Sequence, residues 1–275
     1  MALQTYVINL DGGTERLESV RRMLSGYGID FERVPAFDGR KLDLATVEDY
    51  DAERAERYMG RSLVGAEIGC YRSHLEAASR FLRSGADYGL VFEDDALLRC
   101  NPVKLLEEAL PDLEAHDPDW LLINIGSNKS RISTPVSTYS VDGYKSDLVA
   151  AHYFPMMACA IVWSREGARQ FVENHGRIFA PVDNYFRYWL TRAGHGYSFW
   201  PAPVTTTDVA SQILSADGRQ RKTHRRKWYY ALAKQQRLLV DKVIALSRKR
   251  ALARKLRNGQ VAKPDAGKDR SAIRA

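Results

Sequence analysis

The chain has 275 residues, 45% of them hydrophobic, enough for one large globular domain with an appendage; this excludes a collagenous or wholly disordered protein. Its net charge of +7 is unevenly spread: Arg219–Arg257 holds 15 Lys or Arg against Asp241 alone, and residues 1–218 come to −9 with a further +2 after Arg257. Cys70, Cys100 and Cys159 show neither CxxC nor Cys/His spacing, which argues against a disulfide framework and against structural zinc.

In chain order, Met1-Ala2-Leu3-Gln4 has no basic n-region or apolar h-region, and no stretch stays uncharged long enough to span a bilayer, so a cytoplasmic location is expected. Thr5–Leu10 reads as a buried strand, Asp11-Gly12-Gly13 as a turn, and Thr14 as the cap of a helix that carries Leu17, Val20, Leu24 and Tyr27 and stops at Gly28. This is neither GxGxxG nor a P-loop. Asn9 and Asp11 at the strand end suit contact with a nucleotide, and turn chemistry explains each of them equally well. Phe31–Val34 reads as a short strand, Pro35–Gly39 as a turn and Asp43–Met59 as a helical surface excursion. Gly65–Ser84 is a stronger helix, with Ile68, Tyr71, Leu75, Ala78 and Leu82 on one face and Gly85 as its stop. Ser73 and His74 are consecutive on it, about 100° apart, and cannot form a nucleophile and base with each other. A hydrogen-bonded structural role is expected for His74.

Tyr88-Gly89-Leu90-Val91-Phe92 then runs into Glu93, Asp94 and Asp95. A buried strand cannot carry three carboxylates inside itself, so they belong at its exposed end, where open α/β sheets bind ligands. Hard oxygen donors there suit Mn²⁺ or Mg²⁺ shared with the phosphates of a nucleotide; a solvated acidic turn is the plain alternative. Alternation puts Glu93 and Asp95 on one face and Asp94 on the other, with Asp95 nearest the open end.

These residues carry a resemblance. Val7-Ile8-Asn9-Leu10-Asp11 with Glu15-Arg16, Phe31-Glu32-Arg33 with Pro35–Gly39, Glu67-Ile68-Gly69-Cys70 with Ser73-His74, and Phe92–Asp95 resemble the ordered motifs of glycosyltransferase family 25, over roughly the first 215 residues. The family includes lipopolysaccharide and lipooligosaccharide galactosyltransferases. The resemblance implies an α/β, GT-A-like fold (a Rossmann-like mixed sheet flanked by helices), a nucleotide-sugar donor, Mn²⁺ or Mg²⁺, and transfer with inversion. It also implies donor contacts at Asn9, Asp11, Arg16, Ser73, His74, Glu93 and Asp94, with Asp95 and Glu93 on the metal.

Beyond the acids, Asn101-Pro102 reads as the start of a short helix to Leu110, Trp120–Gly126 as a strand leading to a polar loop, Ser127–Pro135, suited to acceptor sugars, and Met156–Trp163 as another strand. Ser164 starts a helix ending near His175. Ala158–Trp163 departs from the family's usual residues before Ser164-x-x-Gly167-Ala168, as does Thr205-Thr206-Thr207-Asp208 after Pro201 and Pro203; Ser211-Gln212-Ile213 keeps the closing pattern. Asp183 opens the helical stretch to Arg192, matching the family's Pro-x-Asp; it suits a helix cap and equally the base that takes the acceptor proton. His152 and His195 are weaker candidates. Gly196–Trp200 reads as a strand.

Arg225–Arg257 is helical in pattern, with Trp228, Leu232, Leu239, Val243, Leu246 and Leu256 among many cations. The expected organisation is a catalytic domain over 1–218, a basic amphipathic extension over 219–257 that meets an anionic membrane surface or packs on the body, and a disordered tail over 258–275. No nucleic-acid recognition fold accompanies the charge. The expected function is transfer of a hexose, galactose from UDP-galactose, to a lipopolysaccharide-type acceptor at the inner face of the cytoplasmic membrane; a metal-dependent phosphohydrolase and a non-enzymatic, basic-tailed interaction protein are the alternatives.

Overall fold

A computed structural model describes residues 1–207 and 226–258. Expectations for residues 208–225, including Ser211-Gln212-Ile213, and for 259–275 lie outside these. The strands are β1 (Leu3–Asn9), β2 (Glu32–Pro35), β3 (Tyr88–Glu93), β4 (Ala96–Leu98), β5 (Leu122–Asn124), β6 (Thr134–Val141), β7 (Tyr144–Ala150), β8 (Ala160–Ser164), β9 (Gly196–Trp200) and β10 (Val204–Thr206). Eight of them form one mixed sheet ordered β2-β1-β3-β8-β5-β9-β7-β6, and β4 pairs with β10 apart from it. β1–β2, β1–β3 and β5–β9 are parallel, and the other pairs antiparallel.

The helices are α1 (Thr14–Gly26), α2 (Ala52–Met59), α3 (Gly65–Ser84), α4 (Pro102–His116), α5 (Arg165–Asn174), α6 (Val182–Ala193) and α7 (Tyr230–Arg257). Strand alternation divides the core between the two faces of the sheet. Tyr6, Ile8 and Val91 join the apolar residues of α3, α5 and α6, while Val7, Leu90 and Phe92 join those of α1 and α4. The fold is therefore the expected α/β one, a mixed sheet flanked by helices.

Several boundaries differ from expectation. Thr14 is the first residue of α1, and Gly13 occupies the cap position without a side-chain cap bond. Asp43–Met59 is helical only from Ala52, because Asp51 caps there and accepts from the Arg54 amide at 2.9 Å. α4 continues past Leu110, through Pro111, to His116, and this buries Leu113 fully. β5 is shorter than Trp120–Gly126: the Asn124 side chain turns the chain by accepting from the Gly126 and Ser127 amides at 3.1 and 2.9 Å. β8 begins only at Ala160, after Met157 takes a positive φ of 75° and its carbonyl accepts from Asn124 Nδ2 at 2.6 Å. The β6–β7 hairpin fills the stretch between Thr134 and Ala150, where the sequence shows no strand-like run.

α7 lies on the body. Its Ala233, Asp241 and Ala245 are buried, it packs against α2 and α6, Asp241 pairs with Arg192 at 2.9 Å, and Arg237 donates to the Tyr58 carbonyl at 3.0 Å. Packing on the body, one of the two expectations for this segment, thus holds for one face of the helix. No helix among the described residues is long and apolar enough to cross a membrane.

Candidate active site

β3 delivers its acids to a pocket at the carboxyl end of the sheet. Glu93, Asp94 and Asp95 all line it, with Ile8 and Leu10 from the end of β1, Arg16 from α1, Phe37–Arg40 from the loop after β2, and Ala66, Cys70 and Ser73 from α3. The strand ends at Glu93 and the next two residues form a turn, so alternation does not govern them. The expected split, with Asp94 on the opposite face, is corrected accordingly: Asp94 and Asp95 meet the same guanidinium, Arg16 Nη2, at 2.5 and 3.6 Å. Asp95 is also held through its backbone, because its carbonyl accepts from the Thr207 amide at 2.9 Å and Ala96 pairs with Thr206.

Glu93 still points to the α3 face, as alternation requires. His74 Nε2 lies 3.1 Å from its Oε1 and the Cys70 thiol donates to the same oxygen at 3.7 Å. His74 is buried behind Glu93, away from the pocket lining, which gives it the hydrogen-bonded structural role expected and leaves the implied donor contact indirect. Ser73 lines the pocket, but its hydroxyl donates to the Gly69 carbonyl and accepts from the Phe37 amide at 2.8 and 2.9 Å, so it fastens the Phe37 loop to α3. Asn9 is buried and donates to Asp94 Oδ2 at 2.7 Å, orienting a carboxylate from outside the lining. Asp11 is an exposed partner of Arg33 at 2.6 Å and does not line the pocket. Of the implied donor residues, then, Arg16, Ser73, Glu93 and Asp94 reach the pocket directly.

The loop after β2 lies against α3 because three glycines permit backbone contact. A Cβ on Gly39 would stand 1.9 Å from the Gly65 carbonyl oxygen, one on Gly65 would stand 2.0 Å from the Gly39 oxygen, and one on Gly69 2.4 Å from the Phe37 oxygen. This contact brings Phe37, Asp38 and Arg40 to the pocket; the first two are motif positions in the sequence, whereas nothing in the sequence singles out Arg40. Among them Phe37 is a half-exposed aromatic and Arg40 pairs with Asp38 at 2.6 Å. The signal was there in the glycines at 39, 65 and 69, but which backbones they bring together is a tertiary fact.

Three adjacent acids cannot all ionise freely in partly desolvated surroundings. Burial, then the charge of Glu93, pushes Asp95 up to about 6; burial likewise raises Asp94 despite Asn9 and Arg16. Burial acts against the Glu93 carboxylate too, but His74, Cys70 and Arg16 together leave its pKa below the ordinary range. Among the described residues, Asp95 Oδ1 is buried without a hydrogen-bond partner. An orphaned carboxylate oxygen with a raised pKa among hard donors fits a divalent cation, which would relieve both conditions. Cys70, His74 and Glu93 also keep their ligand atoms within 4.8 Å of one another, a softer donor set that shares Glu93.

Asp183 sits in the first turn of α6 but is not its cap; that position is Pro181, and Asp183 Oδ1 accepts instead from the Asn184 amide and Asn184 Nδ2 at 2.7 and 2.9 Å. Burial raises its pKa. Asp183 does not line the pocket, but its charge, after burial and Glu93, helps push up the thiol of Cys70, which does. His195 and His152 lie at the opposite end of the sheet, bonded to Asp117 at 2.9 Å and to Thr134 at 2.8 Å. The departure at Cys159 is one of packing: its sulfur lies where a Cβ on Gly126 would come within 2.4 Å.

Residues 2–186 match the model of a family described as glycosyltransferase family 25 (LPS biosynthesis protein), a span that holds the pocket residues and Asp183. Procollagen galactosyltransferase 1-B of Xenopus laevis is 28% identical over 212 residues, 75% of this chain and 34% of that protein. The human inactive glycosyltransferase 25 family member 3 is 28% identical over 221 residues, 78% of this chain and 36% of that protein. The chain thus spans about a third of the length of these relatives. A solved glycosyltransferase involved in the glycosylation of the major capsid of PBCV-1 superposes over 82% of this chain and 98% of its own at a TM-score of 0.37 and 12% identity, too loose a likeness to bear on function.

Proposed function

Since the chain belongs to glycosyltransferase family 25, we propose that it moves a hexose, galactose from UDP-galactose, onto a hydroxyl of a lipopolysaccharide-type glycan with inversion at the anomeric carbon. Names among its relatives include both galactosyltransferases and inactive members, so activity rests on this chain's own residues. The observation that carries it is the pocket lined by Glu93, Asp94 and Asp95, in which the two aspartates face Arg16 while one Asp95 oxygen stays buried and, among the described residues, unpartnered.

Asp95, with Glu93, would hold Mn²⁺ or Mg²⁺, which when bound neutralises charge developing on the departing diphosphate. Arg16 and Arg40 line the same pocket and give the diphosphate oxygens two fixed cations. The exposed ring of Phe37 offers a face for the nucleobase. Asn9 and His74 position Asp94 and Glu93 by their hydrogen bonds. Asp183 takes the proton of the acceptor hydroxyl as its oxygen bonds to the anomeric carbon and the sugar–phosphate bond breaks; a raised pKa makes it a stronger base than an ordinary carboxylate. An acceptor carried on lipid gives the protein a working place at the inner face of the cytoplasmic membrane.

The test is nucleotide release by purified protein from a panel of nucleotide sugars, with and without an oligosaccharide acceptor and with and without EDTA. UDP release from UDP-galactose that needs both acceptor and cation is expected. No release from any donor would overturn the transferase reading, and release indifferent to EDTA would remove the metal from it.

A further inference from the structure

α7 presents two faces of different chemistry. Towards the body it turns Ala233, Asp241 and Ala245. On the opposite side, Leu232, Leu239, Val243 and Leu246 follow at i, i+7, i+11 and i+14, which is one stripe of an α-helix. They are 67%, 64%, 58% and 43% exposed, and Trp228, just before the helix, is 92% exposed. A solvent-facing helix ordinarily puts polar residues there.

The charges sort the same way. Asp241, the only carboxylate of α7, is buried against Arg192 on the body side. Lys242 and Lys249 border the stripe, Arg250 and Arg257 continue it towards the C-terminal end, and all four are exposed. Two other cations are spent on the body: Arg237 donates to the Tyr58 carbonyl and Arg248 to the Arg192 carbonyl. The outward face is therefore apolar along its middle and cationic at its border and far end, with its one acid removed from view.

We propose that this outward face of α7 is the surface by which the protein lies on an anionic lipid bilayer, with Leu232, Leu239, Val243 and Leu246 entering the headgroup–acyl boundary and the cations meeting lipid phosphates. At 28 residues α7 is about 42 Å long, which suits a helix lying in the plane of the interface. Charge selects this occupant over a second copy of the chain, since two such faces would bring like charges together. The inference stands on α7 alone and does not depend on the transferase reading.

The experiment is flotation of the full chain with vesicles of phosphatidylcholine, alone or with 30% phosphatidylglycerol, at low and high salt, beside size-exclusion chromatography. Two variants accompany it: Leu232→Ser/Leu239→Ser/Val243→Ser/Leu246→Ser, and Lys242→Glu/Lys249→Glu/Arg250→Glu. Both change exposed side chains, so their circular dichroism and melting should match the parent. Binding to anionic vesicles alone, weakened by salt, is expected. It should fall at least tenfold in the serine variant and, at roughly fivefold per cation lost, a hundredfold or more in the charge variant. Three outcomes would each overturn the proposal: no binding by the parent; binding unchanged in the serine variant, which would assign it to cations elsewhere; or a dimer in solution that the serine variant abolishes, which would make the face a protein interface.

Discussion

Asp95 shows the cost of this site most directly. Its carboxyl stands near 3.8 in an unfolded chain and about 6 in the fold, so below pH 3.8 it is protonated in both states and costs nothing, while above about 6 it is ionised in both and the folded form bears the full penalty. With divalent cations chelated, Asp95→Asn should therefore stabilise the protein by about 1–3 kcal/mol at pH 8 and by little at pH 4, measured by urea unfolding at the two values. The same substitution should abolish cation-dependent binding of UDP in calorimetry, because the amide carries no charge and presents an NH2 where one carboxylate oxygen stood. Asp183 is different in kind. In the proposed role of base it would work only when ionised, and its raised pKa would put the acidic limb of the kcat profile above the ordinary carboxylate range. Asp183→Asn should lower turnover about 10²–10⁴-fold and remove that limb while UDP affinity survives; near-normal turnover would assign the proton to another group.

Among the elements, α3 depends on a pair that is out of sight of the pocket. Arg61 and Glu67 are both buried and meet through two hydrogen bonds of 2.8 Å, and Glu67 also accepts from the Val64 amide at 3.1 Å at the start of the helix. Glu67→Ala strands the guanidinium and should cost about 3–5 kcal/mol by urea unfolding; adding Arg61→Met should recover much of that loss. The element level is also where the sequence was most and least informative. α3 and β9 were legible to the residue, because apolar spacing, flanking glycines and a compact run all agreed there. Glu93 at the end of β3 was equally plain, since a buried strand cannot absorb charge. The β6–β7 hairpin was missed although Asp142-Gly143, at φ of 52° and 77°, is a hairpin-turn dipeptide; its flanking strands alternate too weakly to stand out. The pairing of Asp94 with Asp95 around Arg16 was hidden because a turn, unlike a strand, has no fixed period. The resemblance implies donor contacts at Asn9 and His74; Asn9 instead orients Asp94, which only distances reveal, while the structural role of His74 is the one its place on α3 suggests.

Across the whole molecule, α7 joins the tail to the catalytic body. Arg61 bridges to Arg226 in the backbone just before α7, Lys227 pairs with Glu56 of α2 at 2.9 Å, and a Cβ on Gly60 would strike Tyr230 at 2.7 Å. Deleting residues 226–275 should consequently lower the melting temperature by several degrees by uncovering the faces of α2 and α6 and removing the Asp241 carboxylate from Arg192; an unchanged melt would show that the body does not need α7. From the same stretch of chain, Gly65 reaches the opposite way and touches Gly39 at the pocket. That contact governs how the pocket can diverge among descendants of this sequence. At either glycine a side chain would collide with the other's main chain, and no change of side chain elsewhere removes a carbonyl oxygen, so neither position has a compensating partner. Point mutation can reshape the pocket by exchanging Phe37, Asp38 or Arg40, but the path of the loop that carries them can change only if the main chain itself gains or loses residues.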